Sequence, residues 1–123
     1  MDKMDKIIDI NLALEQAAGN EQLAKELFQM LLAELPVSYS SLKTALAEVD
    51  KQSIWDYAHK IYGATAYCGV PALRNVAHQL ESFIKADDIE SVTAHTNLLA
   101  LEIDRLLEHG PGLLEKNWLA DSV

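Results

Sequence analysis

The stretch "YAHKIYGATAYCGV", residues 57–70, decides the fold and poses a problem at the same time. On a wheel of about 100° per residue, Ile54, Tyr57, Ala58, Ile61, Ala64, Thr65 and Cys68 gather on one side, which makes a helix with a core face. His59 lies nearly opposite the centre of that face, so its imidazole projects to solvent. Its outer-face neighbours are Trp55, Asp56, Tyr62, Gly63 and Ala66. Glycine in a helix interior costs roughly 1 kcal/mol relative to alanine, so Gly63 needs a reason. A solvated face ordinarily carries Glu, Lys and Gln; this one is shallow and partly apolar. Gly63 and Ala66 clear room beside His59 for an external surface to dock. The plainer reading is an incidental exposed histidine and a glycine that serves internal packing. Against it, Gly63 falls on the histidine side of the wheel.

Outward from this segment the period stays helical. Leu12, Ala13 and Ala17 predict a short first helix, stopped at Gly19-Asn20. Asn20 is a good N-cap for a segment running through Leu23, Leu27, Met30, Leu31 and Leu35. Pro36 kinks or ends that run, and Leu42, Ala45, Leu46 and Val49 resume it, so 21–49 is one long bent helix or two joined. "DKQ" at 50–52 is a turn, and the His59 helix spans about Ser53 to Tyr67 or Cys68. Gly69 and Pro71 mark the next boundary. Leu73, Val76, Ala77, Leu80, Phe83 and Ile84 line a fourth helix. Asp87 or Asp88 caps a fifth, which "HGPG" at 109–112 terminates. No segment alternates with period two. The expectation is an all-α protein: an antiparallel four-helix bundle with a short extra N-terminal helix. It forms one domain over 1–123, with a core at about 7–109 and a tail at 110–123, where Leu113, Leu114, Trp118 and Leu119 either form one more turn or trail away as a linker.

Composition narrows the partners. The 123 residues carry 10 Lys+Arg against 19 Asp+Glu, a net charge of −9. Nucleic acid is disfavoured because its binding depends on neutralising phosphates, and an anionic membrane surface for the same reason. No apolar run approaches the roughly 20 residues of a bilayer span, and the start lacks a signal core. The single cysteine fits a reducing compartment. A cytoplasmic location is expected, whether the chain stands alone or belongs to a membrane-anchored sensor.

An exposed imidazole is largely neutral near pH 7, which leaves one nitrogen free to attack. Around His59 there is no separate base, no phosphate-cradling glycine loop and no carboxylate cluster for Mg²⁺. Lys60 follows directly and can bend towards an anion held on the ring. Such a site can receive and hand on a phosphoryl group but cannot catalyse unaided. His78 shares a helix stripe with Arg74 and Glu81 and can join a docking rim, or be plain surface. His95 and His109 lack metal-binding spacing, so no metal is expected. Cys68 faces the core as a small hydrophobe. Trp55 and Tyr62 are either partial core caps or interface anchors.

"AHKIYGATAYCGVPALRNVAHQLE", residues 58–81, resembles the signature of histidine-containing phosphotransfer (HPt) domains of bacterial phosphorelays. His59, Gly63, Ala66, Gly69, Leu73 and Leu80 fall on the pattern. "LALEQAAGNEQLAKELFQMLLAELP" (12–36) is similar to the opening of such domains at the C-terminus of BarA-type hybrid sensor kinases. The resemblance covers roughly 7–109. It implies a phosphorelay intermediate phosphorylated on His59, with no kinase activity or cofactor of its own. Donor and acceptor would be aspartates of response-regulator receiver domains, which bring Mg²⁺ and the catalytic groups. The remainder of a hybrid sensor histidine kinase is a further partner.

Two positions depart from the family. Tyr62 stands where many members carry a lysine, leaving Lys60 as the nearby cation. Glu81 stands where a glutamine commonly supports the imidazole; it either orients the ring or is a solvated helix residue, and its charge would repel a bound phosphoryl group. Trp55, Tyr62, Gly63, Ala66, Arg74 and His78 then form the receiver-docking surface. The alternative is a helical adaptor that binds a partner without covalent chemistry.

Overall fold

A computed structural model describes residues 8–121. Six α-helices follow one another among these residues: α1 (Ile10–Gln16), α2 (Glu21–Ala47), α3 (Lys51–Ala64), α4 (Pro71–Lys85), α5 (Ile89–Leu114) and α6 (Trp118–Asp121). A 3₁₀ turn, Thr65–Tyr67, extends α3, and no strand occurs among the described residues. Helices α2 to α5 pack in a ring in which each touches the next and α5 returns to α2; α1 and α6 meet at one end. Phe28, Leu35, Leu42, Ile61, Leu73, Leu80, Leu99 and Leu106 fill the interior, each with under 2 % of its surface exposed. This is the expected all-α four-helix bundle with its short preceding helix.

Three of the four bundle helices, α2, α3 and α5, begin on a side-chain cap, and α4 begins on Pro71 instead. Asn20 Oδ1 accepts from Leu23 N at 3.0 Å, Asp50 from Ser53 N at 3.2 Å and Asp88 from Ser91 N at 3.2 Å. These caps satisfy amides that helix geometry leaves unpaired. Asp50 starts α3 at Lys51, two residues before the position the periodicity predicts. The α2–α3 and α4–α5 corners are tight because the residue after the C-cap turns left-handed: Val49 at φ 52° and Asp87 at φ 58°. The next amide then closes back on the helix, Asp50 N to Ala45 O and Asp88 N to Phe83 O.

Of the two readings of 21–49, the single helix holds: α2 runs unbroken from Glu21 through Pro36 to Ala47. The ring sits on the solvent face, where the carbonyl it leaves unpaired can be hydrated. "HGPG" does not end α5, which runs through Pro111 to Leu114. Gly110 is buried, and a Cβ there would meet Leu32 Cδ1 at 2.9 Å, so this glycine lets α5 press on α2. The tail is also part of the core. Trp118 is 0 % exposed, lies edge-on to Phe28 at 5.9 Å and donates its indole N–H to Leu113 O at 2.8 Å. Its backbone N–H donates to Glu21 Oε2 at 2.5 Å, and Lys25 Nζ to Lys116 O at 2.5 Å.

Candidate functional site

Ile54, Ala58 and Ile61 anchor α3 in the core and so turn His59 outward, its side chain 61 % exposed. The ring is held on two sides. Trp55, one turn earlier, stacks on it at 5.3 Å between centroids with 14° between planes. Glu81 of α4 places Oε1 2.5 Å from His59 Nδ1, and Glu81 itself is only 7 % exposed. Glu81 therefore faces the ring and is not a solvated helix residue. An ionised carboxylate can only accept, so when Glu81 is ionised Nδ1 is the donor of this bond, and a neutral ring then keeps its lone pair on Nε2.

Helices α3 and α4 run antiparallel, and their facing side chains pair rung by rung. Lys51 Nζ meets Asp87 Oδ1 at 3.0 Å, and Lys85 Nζ lies 5.2 Å over the Trp55 ring. Beyond His59 and Glu81, the Tyr62 ring tilts against His78 at 5.4 Å. Arg74 lies 4.3 Å over the same ring and donates to Tyr62 Oη at 3.1 Å and Thr65 Oγ1 at 3.1 Å. Thr65 Oγ1 in turn donates to Tyr62 O at 2.6 Å. These bonds finish α3 at Ala64 and tighten Thr65–Tyr67 into a 3₁₀ turn, so Ala66 sits half-buried in that turn rather than on the helix.

The other flank of α3 is open. A Cβ added at Gly63 would meet nothing within 4 Å. Beside it lies a groove of about 190 Å³ between α2 and α3, lined by Leu27, Met30, Leu31, Glu34, Gly63, Ala64, Tyr67 and Cys68. Met30 and Tyr67 are 64 % and 60 % exposed. Cys68 forms part of the floor and is buried, as its place on the wheel predicts; burial pushes its thiol up to about 11. Lys60 turns to this side, its Nζ 3.8 Å from Glu34 Oε1. It does not stand at the His59 ring, though a half-exposed surface pair of this kind costs little to open.

The structure thus gathers Trp55, His59, Tyr62, Arg74, His78 and Glu81 along one seam and leaves Gly63 bare beside them. Sequence reasoning passed over Lys85, Glu34 and the groove residues Leu27, Met30 and Tyr67. A signal for Lys85 existed: in antiparallel helices one number rises as the other falls, so Trp55 with Lys85 follows from His59 with Glu81. His95 lies elsewhere, against Phe83 at 4.6 Å. Among the described residues no group of three His, Cys, Asp or Glu side chains is placed to hold a metal, and no helix is long and apolar enough to cross a membrane.

Comparison with known proteins gives a consistent picture. Residues 26–109 match the model of the Hpt domain family. The sensor histidine kinase GacS of Pseudomonas protegens is 35% identical over 89 residues, which cover 72% of this chain and 10% of that protein. The signal transduction histidine-protein kinase BarA of Shigella flexneri is 38% identical over 87 residues, 68% of this chain and 10% of the relative. The chain therefore spans about a tenth of the length of these curated relatives. The crystal structure of the HPT domain of a sensor hybrid histidine kinase from Shewanella superimposes with a TM-score of 0.81 at 29% identity, covering 89% of this chain and 94% of that one. An exposed, braced histidine on a four-helix bundle, with these likenesses, places the chain in the Hpt family of phosphotransfer domains.

Proposed function

We propose that His59 carries a phosphoryl group between aspartates of response-regulator receiver domains, as one step of a phosphorelay. The observation that carries this reading is the ring itself: Nδ1 is engaged by Glu81, while the side chain stands 61 % exposed beside the empty flank of Gly63. In the transfer, the Nε2 lone pair attacks phosphorus, a P–N bond forms, and the P–O bond to the donor breaks with its electrons returning to the aspartate carboxylate. The receiver brings Mg²⁺ and the groups that neutralise the moving charge. This chain supplies alignment.

Trp55 and Tyr62 flank the contact, Gly63 and Ala66 leave it room, and Arg74 and His78 form its rim. Lys60 partly neutralises the phosphoryl group once it swings from Glu34. Residues 51–85 carry four Lys and Arg against two Asp and Glu in a chain of net charge −9. That local excess favours a partner with an acidic site and steers it to α3 and α4. The likeness to GacS and BarA supports a place for this relay beside a hybrid sensor kinase.

The test is transfer. Incubation with a phosphorylated receiver and Mg²⁺ is expected to leave acid-labile, base-stable phosphate on this protein, and His59→Gln is expected to abolish it. Equal labelling of His59→Gln, or none of the native protein by any of a panel of receivers, would leave a non-covalent adaptor.

A further inference from the structure

A carboxylate at the inner end of the imidazole does more than hold it still. Glu81 is almost wholly buried, and its hydrogen-bond partner among the described residues is His59. Because an ionised carboxylate has acceptor sites only, this bond exists only while Nδ1 bears a proton. A bare Nδ1 would face a buried, unsatisfied charge, an expensive arrangement. From this geometry we infer that Glu81 keeps the proton on Nδ1 after His59 is phosphorylated, and so sets the bundle to release its phosphoryl group rather than to store it. The inference rests on the carrier reading of His59.

The consequence follows from the leaving group. During onward transfer an aspartate oxygen attacks phosphorus, the new P–O bond forms, the P–N bond breaks, and its electron pair returns to Nε2. With the proton retained on Nδ1, neutral imidazole departs. With Nδ1 bare, imidazolate would have to depart, a far poorer leaving group, and the P–N bond would persist. A glutamine in place of Glu81 could turn its oxygen to a protonated Nδ1 or its NH₂ to a bare one, and so tolerate both states. The carboxylate tolerates one. Its negative charge also repels the phosphoryl group across the ring, which acts in the same direction.

The remaining charges around the ring are otherwise engaged. On α3, Asp56 Oδ1 accepts from Gln52 at 2.9 Å, and Lys60 pairs with Glu34 of α2. On α4, Lys85 lies over Trp55 and His78 against Tyr62. Glu81 is the one carboxylate at the imidazole nitrogen among the described residues.

The experiment loads the native protein and Glu81→Gln chemically with phosphoramidate. The decay of the His59 phosphorus resonance, assigned by its absence in His59→Gln, is then followed from about pH 6 to about pH 9, across the range in which imidazole nitrogens exchange protons. The native phosphoryl group is expected to stay labile throughout. That of Glu81→Gln is expected to become longer-lived as pH rises, by about tenfold at the alkaline end, the factor attached to one charge-assisted hydrogen bond. Superimposable profiles, or a shorter lifetime in Glu81→Gln at matched helicity, would overturn the inference. A loaded native protein with the expected profile that passes phosphate to no receiver would instead overturn the carrier reading, so the two failures are distinct.

Discussion

The two flanks of α3 are built on different principles. Towards α4, outward-facing side chains are paired: Lys51 with Asp87, Trp55 with Lys85, His59 with Glu81, Tyr62 with Arg74 and His78. Towards α2, a loose ion pair from Lys60 to Glu34 borders an apolar groove with Gly63 on its edge. One side fixes the direction of an imidazole; the other keeps space vacant. A self-sufficient active site closes both sides around its substrate. The proposed carrier must instead enter a partner's site, so only one side can be closed.

The largest way to break this contrast is to fill the open side. Gly63→Leu is expected to lower phosphoryl transfer from a receiver about a hundredfold, the scale of an ångström-sized misplacement of reacting atoms. Its thermal stability should rise slightly, because leucine is the better helix former. Full transfer by this variant would refute the role of the vacancy. The closed side is tested next by Arg74→Ala, which removes a guanidinium from the Tyr62 ring and its hydrogen bonds to Tyr62 and Thr65. Urea unfolding should show a loss of about 2 kcal/mol.

The floor of the groove offers a third test, in pH. Burial raises the Cys68 thiol from 9.0 to about 11, so the unfolded chain gives up this proton first. Its contribution is whole below the unfolded value of 9.0 and is lost as pH rises towards about 11. Urea midpoints measured on either side of that window should fall in the native protein and fall less in Cys68→Ala. The smallest effect belongs to Glu34→Ala: its surface pair with Lys60 should be worth no more than about 0.5 kcal/mol in the same unfolding measurement. A larger loss would mean that the open side is braced after all.

Much of this was legible because it is local. Helical period, the Asn20 and Asp88 caps and the outward direction of His59 depend on residues within a turn or two of one another. Glu81 was legible as a candidate but not as a buried one, since burial needs the angle between α3 and α4. The error at the end of α5 has a plain cause. Gly110 and Pro111 are breakers by local rules, yet each lies on the helix face where its defect is harmless or useful: Pro111 outward, Gly110 against Leu32. Trp118 lies in a short polar-flanked stretch with no periodicity of its own, and besides the nearby Leu113 carbonyl its contacts come from Phe28, Glu21 and Lys25, far away in the chain.

The chain has two tryptophans, and they occupy opposite surroundings. Trp118 is sealed in the interior, whereas Trp55 lies flat on the imidazole of His59. Indole emission is quenched by a cationic ring in contact, so the fluorescence of Trp55 follows the charge on its neighbour while that of Trp118 follows unfolding. With Trp118 replaced by Phe, and with His59 as the proposed carrier, a fluorimeter alone could time the arrival and departure of each phosphoryl group, without any attached dye.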